Sequence, residues 1–199
     1  MKAEDAADMM DQEKAHNRFR QRAAVTIAIL AMLLAITGLG GANASKEAII
    51  NGVLASNSFN FFQAKNVRQT SFALAADQLE LAWANDPTLP AEAKAALKAK
   101  AEAYRKTVAR YESEPETNEG KKELLARAKE HEAKRDHALR QDPYFDYSEA
   151  MLQIAIVLIS VAIVADVVWL AFVGGALGLL GTFLMLDGFF LFLEIPGLG

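Results

Sequence analysis

Three carboxylates stand where carboxylates are costly. The stretch 150–193 carries two charges, Asp166 and Asp187, and Glu194 follows directly; no Lys or Arg lies anywhere beyond Arg140. A charged side chain at the centre of an apolar helix costs roughly 2.5–3.5 kcal/mol even on insertion scales. Such groups share a proton, hold a cation, face water inside an assembly, or meet backbone donors. Asp187 and Glu194 are seven residues apart and share one helical face. The expectation is an internal polar site of Asp166, Asp187 and Glu194. The alternative is that a shifted helix boundary carries one aspartate to an interface.

Other chemistry is absent from the pattern. His131 and His137 are six apart, on different helical faces, and lack the i, i+4 spacing of a helical metal pair. His16 is a lone histidine in a polar segment. With no Cys there is no thiolate ligand or Cys nucleophile. None of the phosphate-loop, nucleophile-elbow or zinc-helix motifs occurs. The expectation is no catalytic residue, no cofactor and no metal, hence no enzyme. The net charge of −4 has no basic surplus in any region, which argues against nucleic acid as a partner.

The elements that would position these residues follow from segregation of charge. Residues 23–45 are charge-free, whereas 46–149 hold 33 of the 46 formal charges. A single soluble core does not divide its residues this way; membrane spans flanking a polar insert do. The reading is an all-α integral membrane protein with three transmembrane helices. It has a polar segment (1–22), a first span (23–45), an extramembrane insert (46–146), a second span (147–173) and a third (174–195). Gly174-Gly175 is the expected division between the last two spans, and Asp142-Pro143 the expected start of the second. Arg18, Arg20 and Arg22 before the first span put the N-terminus in the cytoplasm. Ala42-Asn43-Ala44 resembles a signal-peptidase site, but the apolar run is long and the segment before it carries no net charge.

Ala24, Ala28, Ala31, Ala35, Gly38 and Ala42 recur at spacings of three and four, forming one small-residue face on the first span. Small faces let helices approach closely in lipid. This face is either a seam between copies of the chain or a seat for the chain's own other spans. In the insert, Asp86-Pro87-Thr88-Leu89-Pro90 breaks a helix that continues the first span. Two Ala/Lys/Glu-rich helices follow, 91–112 and 121–141, separated by the turn 114–120. The first carries the seam Leu97, Ala101, Tyr104, Val108 and Tyr111; the second has the thin seam Leu124, Leu125, Ala128 and Leu139. Together they read as a helical hairpin or coiled coil, packed against the extension of the first span and a surface for a protein partner.

The Arg-flanked first span ends Gly38-Leu39-Gly40-Gly41. Ala44-Ser45-Lys46-Glu47-Ala48, Ala55-Ser56-Asn57 and Phe62-Gln63-Ala64-Lys65-Asn66-Val67-Arg68-Gln69 follow, with a hydrophobic hairpin at the C-terminus. In this order the chain resembles a family of bacterial membrane proteins, the domain of unknown function 4337 family. The resemblance implies a three-span architecture in the bacterial inner membrane, and no activity, cofactor or catalytic residue. Two functions remain in view: a homo-oligomeric scaffold or partner-binding protein in the bilayer, and an ion or proton pathway using the intramembrane carboxylates.

Overall fold

The computed structural model describes the backbone of residues 3–193 and the side chains of residues 10, 13, 14 and 16–193. Among these residues there are four helices and no strand: α1 (Ala3–Asn85), α2 (Ala91–Glu112), α3 (Lys121–Ala165) and α4 (Val168–Phe190). Three of them, α1, α3 and α4, are long and apolar enough to cross a membrane. The chain divides into two compact units, Met1–Ala48 with Asp136–Gly199, and Ile49–Arg135.

In the first unit, α3 runs antiparallel to α1 and α4. Ala23 and Leu30 of α1 pack with Leu152, Ala155 and Ile159 of α3 as the buried core. The glycines of α4 set how closely it can approach. A Cβ on Gly178 would lie 2.8 Å from Leu30 Cδ2, and one on Gly181 3.0 Å from Leu152 Cγ. At the other end, Phe145 fills the hollows left by Gly40, Gly41 and Gly188 and meets Phe189 edge-on at 4.9 Å.

Two expected boundaries are corrected here. The chain reverses at Asp166–Val167, between α3 and α4, and not at Gly174–Gly175, which lie inside α4. Asp166 adopts a left-handed conformation (φ 55) and the Val167 N–H donates to Ala162 O at 3.1 Å, closing the end of α3. Asp tolerates this conformation better than most residues. Gly174 serves packing instead, since a Cβ there would meet Ile159 Cγ1 at 2.7 Å and Ala155 O at 3.0 Å. Nor does a helix begin at Asp142-Pro143, because α3 is continuous through Pro143.

In the second unit, α1 is the common partner of α2 and α3. Phe72 of α1 meets Tyr104 and Tyr111 of α2 at 5.4 and 5.9 Å, and Arg105 reaches Asp77 and Glu80. Closer to the start of this segment, Asn51 meets His131 of α3 at 2.9 Å, and Lys121 lies over the Phe62 ring. Both α2 and α3 therefore run antiparallel to α1, on successive stretches of it. Helices 91–112 and 121–141 meet at their junction through Ser113, Glu114 and Glu123, and each reaches α1, the extension of the first span. Each carries one narrow apolar stripe, Ala101 on α2 and Leu124 and Ala128 on α3 being buried, and Leu124 lines one hollow with Phe61 and Ala64 of α1.

Candidate functional site: polar groups along the apolar helices

Asp166 and Asp187 do not converge. Asp166 occupies the α3–α4 turn with its side chain 62% exposed, 3.0 Å from Nδ1 of His16. Asp187 lies 21 residues on, about 30 Å along the helix at ~1.5 Å per residue. Glu194 lies outside the described residues. Asp187 is 1% exposed. Its Oδ1 accepts the Leu193 N–H at 2.9 Å, and its backbone carbonyl accepts the Leu191 N–H at 2.6 Å. Leu191 is left-handed (φ 49), so α4 ends in a cap of the αL type. Tyr144 Oη donates to Leu193 O at 2.8 Å. Asp187 and Tyr144 thus hold the N–H and the C=O of one residue. Asp187 Oδ2 is buried and has no hydrogen-bond partner among the described residues. It sits at the negative end of the α4 dipole with no basic residue in the last turn.

A second polar pair escaped the sequence reading. Gln153 Nε2 donates to Glu149 Oε1 at 2.9 Å, on the outward side of α3, where Gln153 is exposed. Register places this pair. Ser45 Oγ of α1 donates to Asp142 Oδ1 of α3 at 2.5 Å, and Thr37 Oγ1 lies 3.4 Å from Ser148 Oγ. Counting seven residues from Ser45 and Asp142 brings Gly38 level with Glu149. Counting five from Thr37 and Ser148 brings Met32 level with Gln153, at the middle of the apolar run 23–41. The sequence reading began its charge-poor run just after Glu149. Moving the turn from Gly174 to Asp166 draws Glu149 and Gln153 inward along the span and carries Asp166 to its end.

The sides of α1 in this unit differ in kind. Ala23, Leu30, Thr37, Ala44 and Ala48 are buried. A second row, Val25, Ile29, Met32, Ile36 and Leu39, is large, aliphatic and exposed. The third is the small-residue face: Ala24, Ala28, Ala31, Ala35 and Ala42 are exposed and Gly38 half-buried. A Cβ on Gly38 would meet nothing within 4 Å. Among the described residues, the other helices leave this face largely open. Between the helices, Ser148 Oγ donates to Gly181 O at 2.7 Å while facing Thr37, so the buried hydroxyls are satisfied.

In the second unit the polar groups gather where α2 ends and α3 begins. Gln69 donates to Val108 O and to Glu112, both at 3.0 Å, while accepting from Lys121 at 2.7 Å. The Gln69 amide and the Lys121 ammonium hold the Glu112 carboxyl below its ordinary pKa. The Ser113 hydroxyl, donating at 2.6 Å, does the same for Glu123. The Arg127 guanidinium donates to Asn118 O at 3.1 Å. Glu130 pairs with Lys134, at 2.7 Å. Of the two histidines on α3, His131 faces Asn51 and His137 is exposed.

No curated protein and no solved structure matches the chain. The family described as domain of unknown function (DUF4337) matches residues 19–191, a stretch that takes in parts of all four helices and both units. The match covers most of the sequence, and the chain belongs to the DUF4337 family.

Proposed function

We propose that this protein is a homo-oligomeric scaffold of the bacterial inner membrane, with its N-terminus in the cytoplasm and residues 49–135 on the opposite side. The observation that carries the reading is the outward face of the first span. Five small residues at helical spacing, Ala24, Ala28, Ala31, Ala35 and Ala42, are exposed with Gly38 half-buried among them, and the Glu149–Gln153 pair, with Gln153 exposed, lies level with this stretch. In hydrocarbon, an exposed amide has no partner in lipid and small faces gain from close helix contact, so both favour a neighbouring helix. The arginines at 18, 20 and 22 support the orientation. The polar second unit is the part free to bind or brace a protein partner, and nothing in it favours nucleic acid, a cofactor or catalysis.

Ala31→Leu and Ala35→Leu test the reading by mass in detergent. The larger side chains hold the helices apart, and the oligomer is expected to fall to smaller species. An unchanged oligomer rules out this face, and a wild-type chain that is monomeric overturns the reading. A reporter fused after Gly199 should be active on the periplasmic side; cytoplasmic activity reverses the topology.

A second reading, an ion or proton pathway, draws on Asp187 Oδ2, which has no hydrogen-bond partner among the described residues. Asp166 and Asp187 stand near opposite ends of α4, so the pathway would rest on Asp187 without its expected partner. Unchanged flux in liposomes carrying Asp187→Asn removes it.

A further inference from the structure

The helices of the second unit differ sharply in what they show to their surroundings. Of the fourteen exposed residues of α2, eight are charged: Glu92, Lys94, Lys98, Lys100, Glu102, Arg105, Lys106 and Arg110. Of the seven exposed residues of α3 up to Arg135, five are charged. Along α1, fifteen residues between Ile49 and Leu74 are exposed, and Arg68 is the single charge among them. Seven of the fifteen are large and apolar, including Val53 at 55%, Val67 at 63% and Leu74 at 57% exposure. A helix face in contact with water normally carries its charges there, as α2 does. Depletion of charge beside exposed apolar side chains is the mark of an interface. The other side of α1 is already occupied by α2 and α3, through Phe72, Gln69 and Asn51.

The spacing on this face has a period. Val53, Asn60, Val67, Leu74 and Leu81 are seven apart and all exposed. A seven-residue row along one helix fits a second helix wound along it. One amide within an apolar row is the device that fixes register in such pairs. Ser56, Asn57, Gln63, Thr70 and Ser71 flank the row, all uncharged and able to donate as well as accept. A surface of that composition complements itself, whereas Arg68 is the one charge it offers to attract an acidic partner.

We infer that the exposed row Val53, Asn60, Val67, Leu74 and Leu81 of α1 is a parallel, in-register seam to a second copy of this chain. The inference rests on the oligomer proposed above, because copies inserted in one orientation present their α1 helices side by side in the same direction. Each row residue then meets its own counterpart, and the Asn60 amide meets the partner's Asn60 by one donor and one acceptor on each side. The seam places self-association in the extramembrane unit as well as along the spans.

The chain contains no Cys, so single-cysteine variants of the full-length protein in its membrane report without background. Val67→Cys and Leu74→Cys are expected to form disulfide-linked dimers on mild oxidation, while Lys98→Cys on the charged face of α2 stays monomeric. A disulfide between identical positions requires the parallel, in-register arrangement. Loss of the crosslink at Val67→Cys when Leu74→Glu is added should follow, at least tenfold in yield. Gln153→Cys, within the span, separates the two readings. Crosslinking at Gln153→Cys but at neither Val67→Cys nor Leu74→Cys overturns the seam and leaves the oligomer. Equal crosslinking of Lys98→Cys marks random collision and overturns the seam. A crosslinked species whose mass exceeds one chain by something other than a second chain gives the face to a different protein, and also overturns it.

Discussion

A Cβ added to Gly174 of α4 would stand 2.7 Å from Cγ1 of Ile159 on α3, closer than side chains approach. The Ala155 carbonyl lies 3.0 Å away on the same side, so backbone as well as side chain would have to move. Gly174→Ala is therefore expected to destabilise the helix pair by about 1–3 kcal/mol, the usual range for overpacking. Gly175 has nothing within 4 Å of an added Cβ, and Gly175→Ala should be neutral or slightly stabilising. Thermal unfolding of the two variants in the same detergent separates them; equal effects would show that α4 does not pack on this face.

Asp166 holds a left-handed backbone at the α3–α4 turn. That conformation costs most L-residues about 1–2 kcal/mol and Asn or Asp less. Asp166→Val should lower the melting temperature, whereas Asp166→Asn should leave it nearly unchanged although it removes the charge facing His16. If Asn and Val act alike, the carboxylate's pairing with His16, and not the backbone, governs the turn.

Leu193 is held by its N–H on Asp187 and its carbonyl on Tyr144. Asp187→Ala and Tyr144→Phe should each speed hydrogen exchange at the amides of 191–193. A net hydrogen bond is worth about 0.5–1.5 kcal/mol, so each change alone should raise exchange several-fold. Because both act on one residue, the double variant should fall short of the sum of the singles. Additive effects would separate the two contacts.

Acid should loosen the second unit at the α2–α3 junction. A carboxylate whose folded pKa lies below its unfolded one contributes stability that is present in full above the unfolded value. That stability is lost as pH falls through the folded value. Glu112 and Glu123 are both lowered from a reference of 4.5, the first by Gln69 and Lys121 and the second by Ser113. Helix signal and melting temperature should hold down to about that pH and fall below it. Glu112→Gln with Glu123→Gln should flatten the acid limb; an unchanged limb would assign acid sensitivity to other groups.

Much of this architecture is legible in the sequence because it is local. Charge-free runs, the Asp86–Pro90 break and the Ala/Lys/Glu periodicity each act over a few turns, and they determine that the chain is helical and where its apolar segments lie. The family resemblance, carried by 18–70, also needs only the order of residues. What the tertiary structure decided is which neighbour each local feature meets. Gly174-Gly175 reads as a turn by composition, yet Gly174 is needed opposite Ile159, and the reversal falls to Asp166. Pro143 reads as a boundary, yet α3 runs through it. That displacement of one turn separated Asp166 from Asp187 and drew Glu149 and Gln153 along the span. Helical spacing groups Ala24, Ala28, Ala31, Ala35, Gly38 and Ala42, but periodicity carries no sign for inward or outward. Burial of Ala23, Leu30 and Thr37 on another side of α1 left the small face exposed. The apolar stripes of α2 and α3 are equally visible, and the extension of the first span is the partner expected for them; Phe72, Gln69 and Asn51 of α1 meet those helices. Which side of α1 stays outward follows only once that inner face is filled, and it is the charge-poor one.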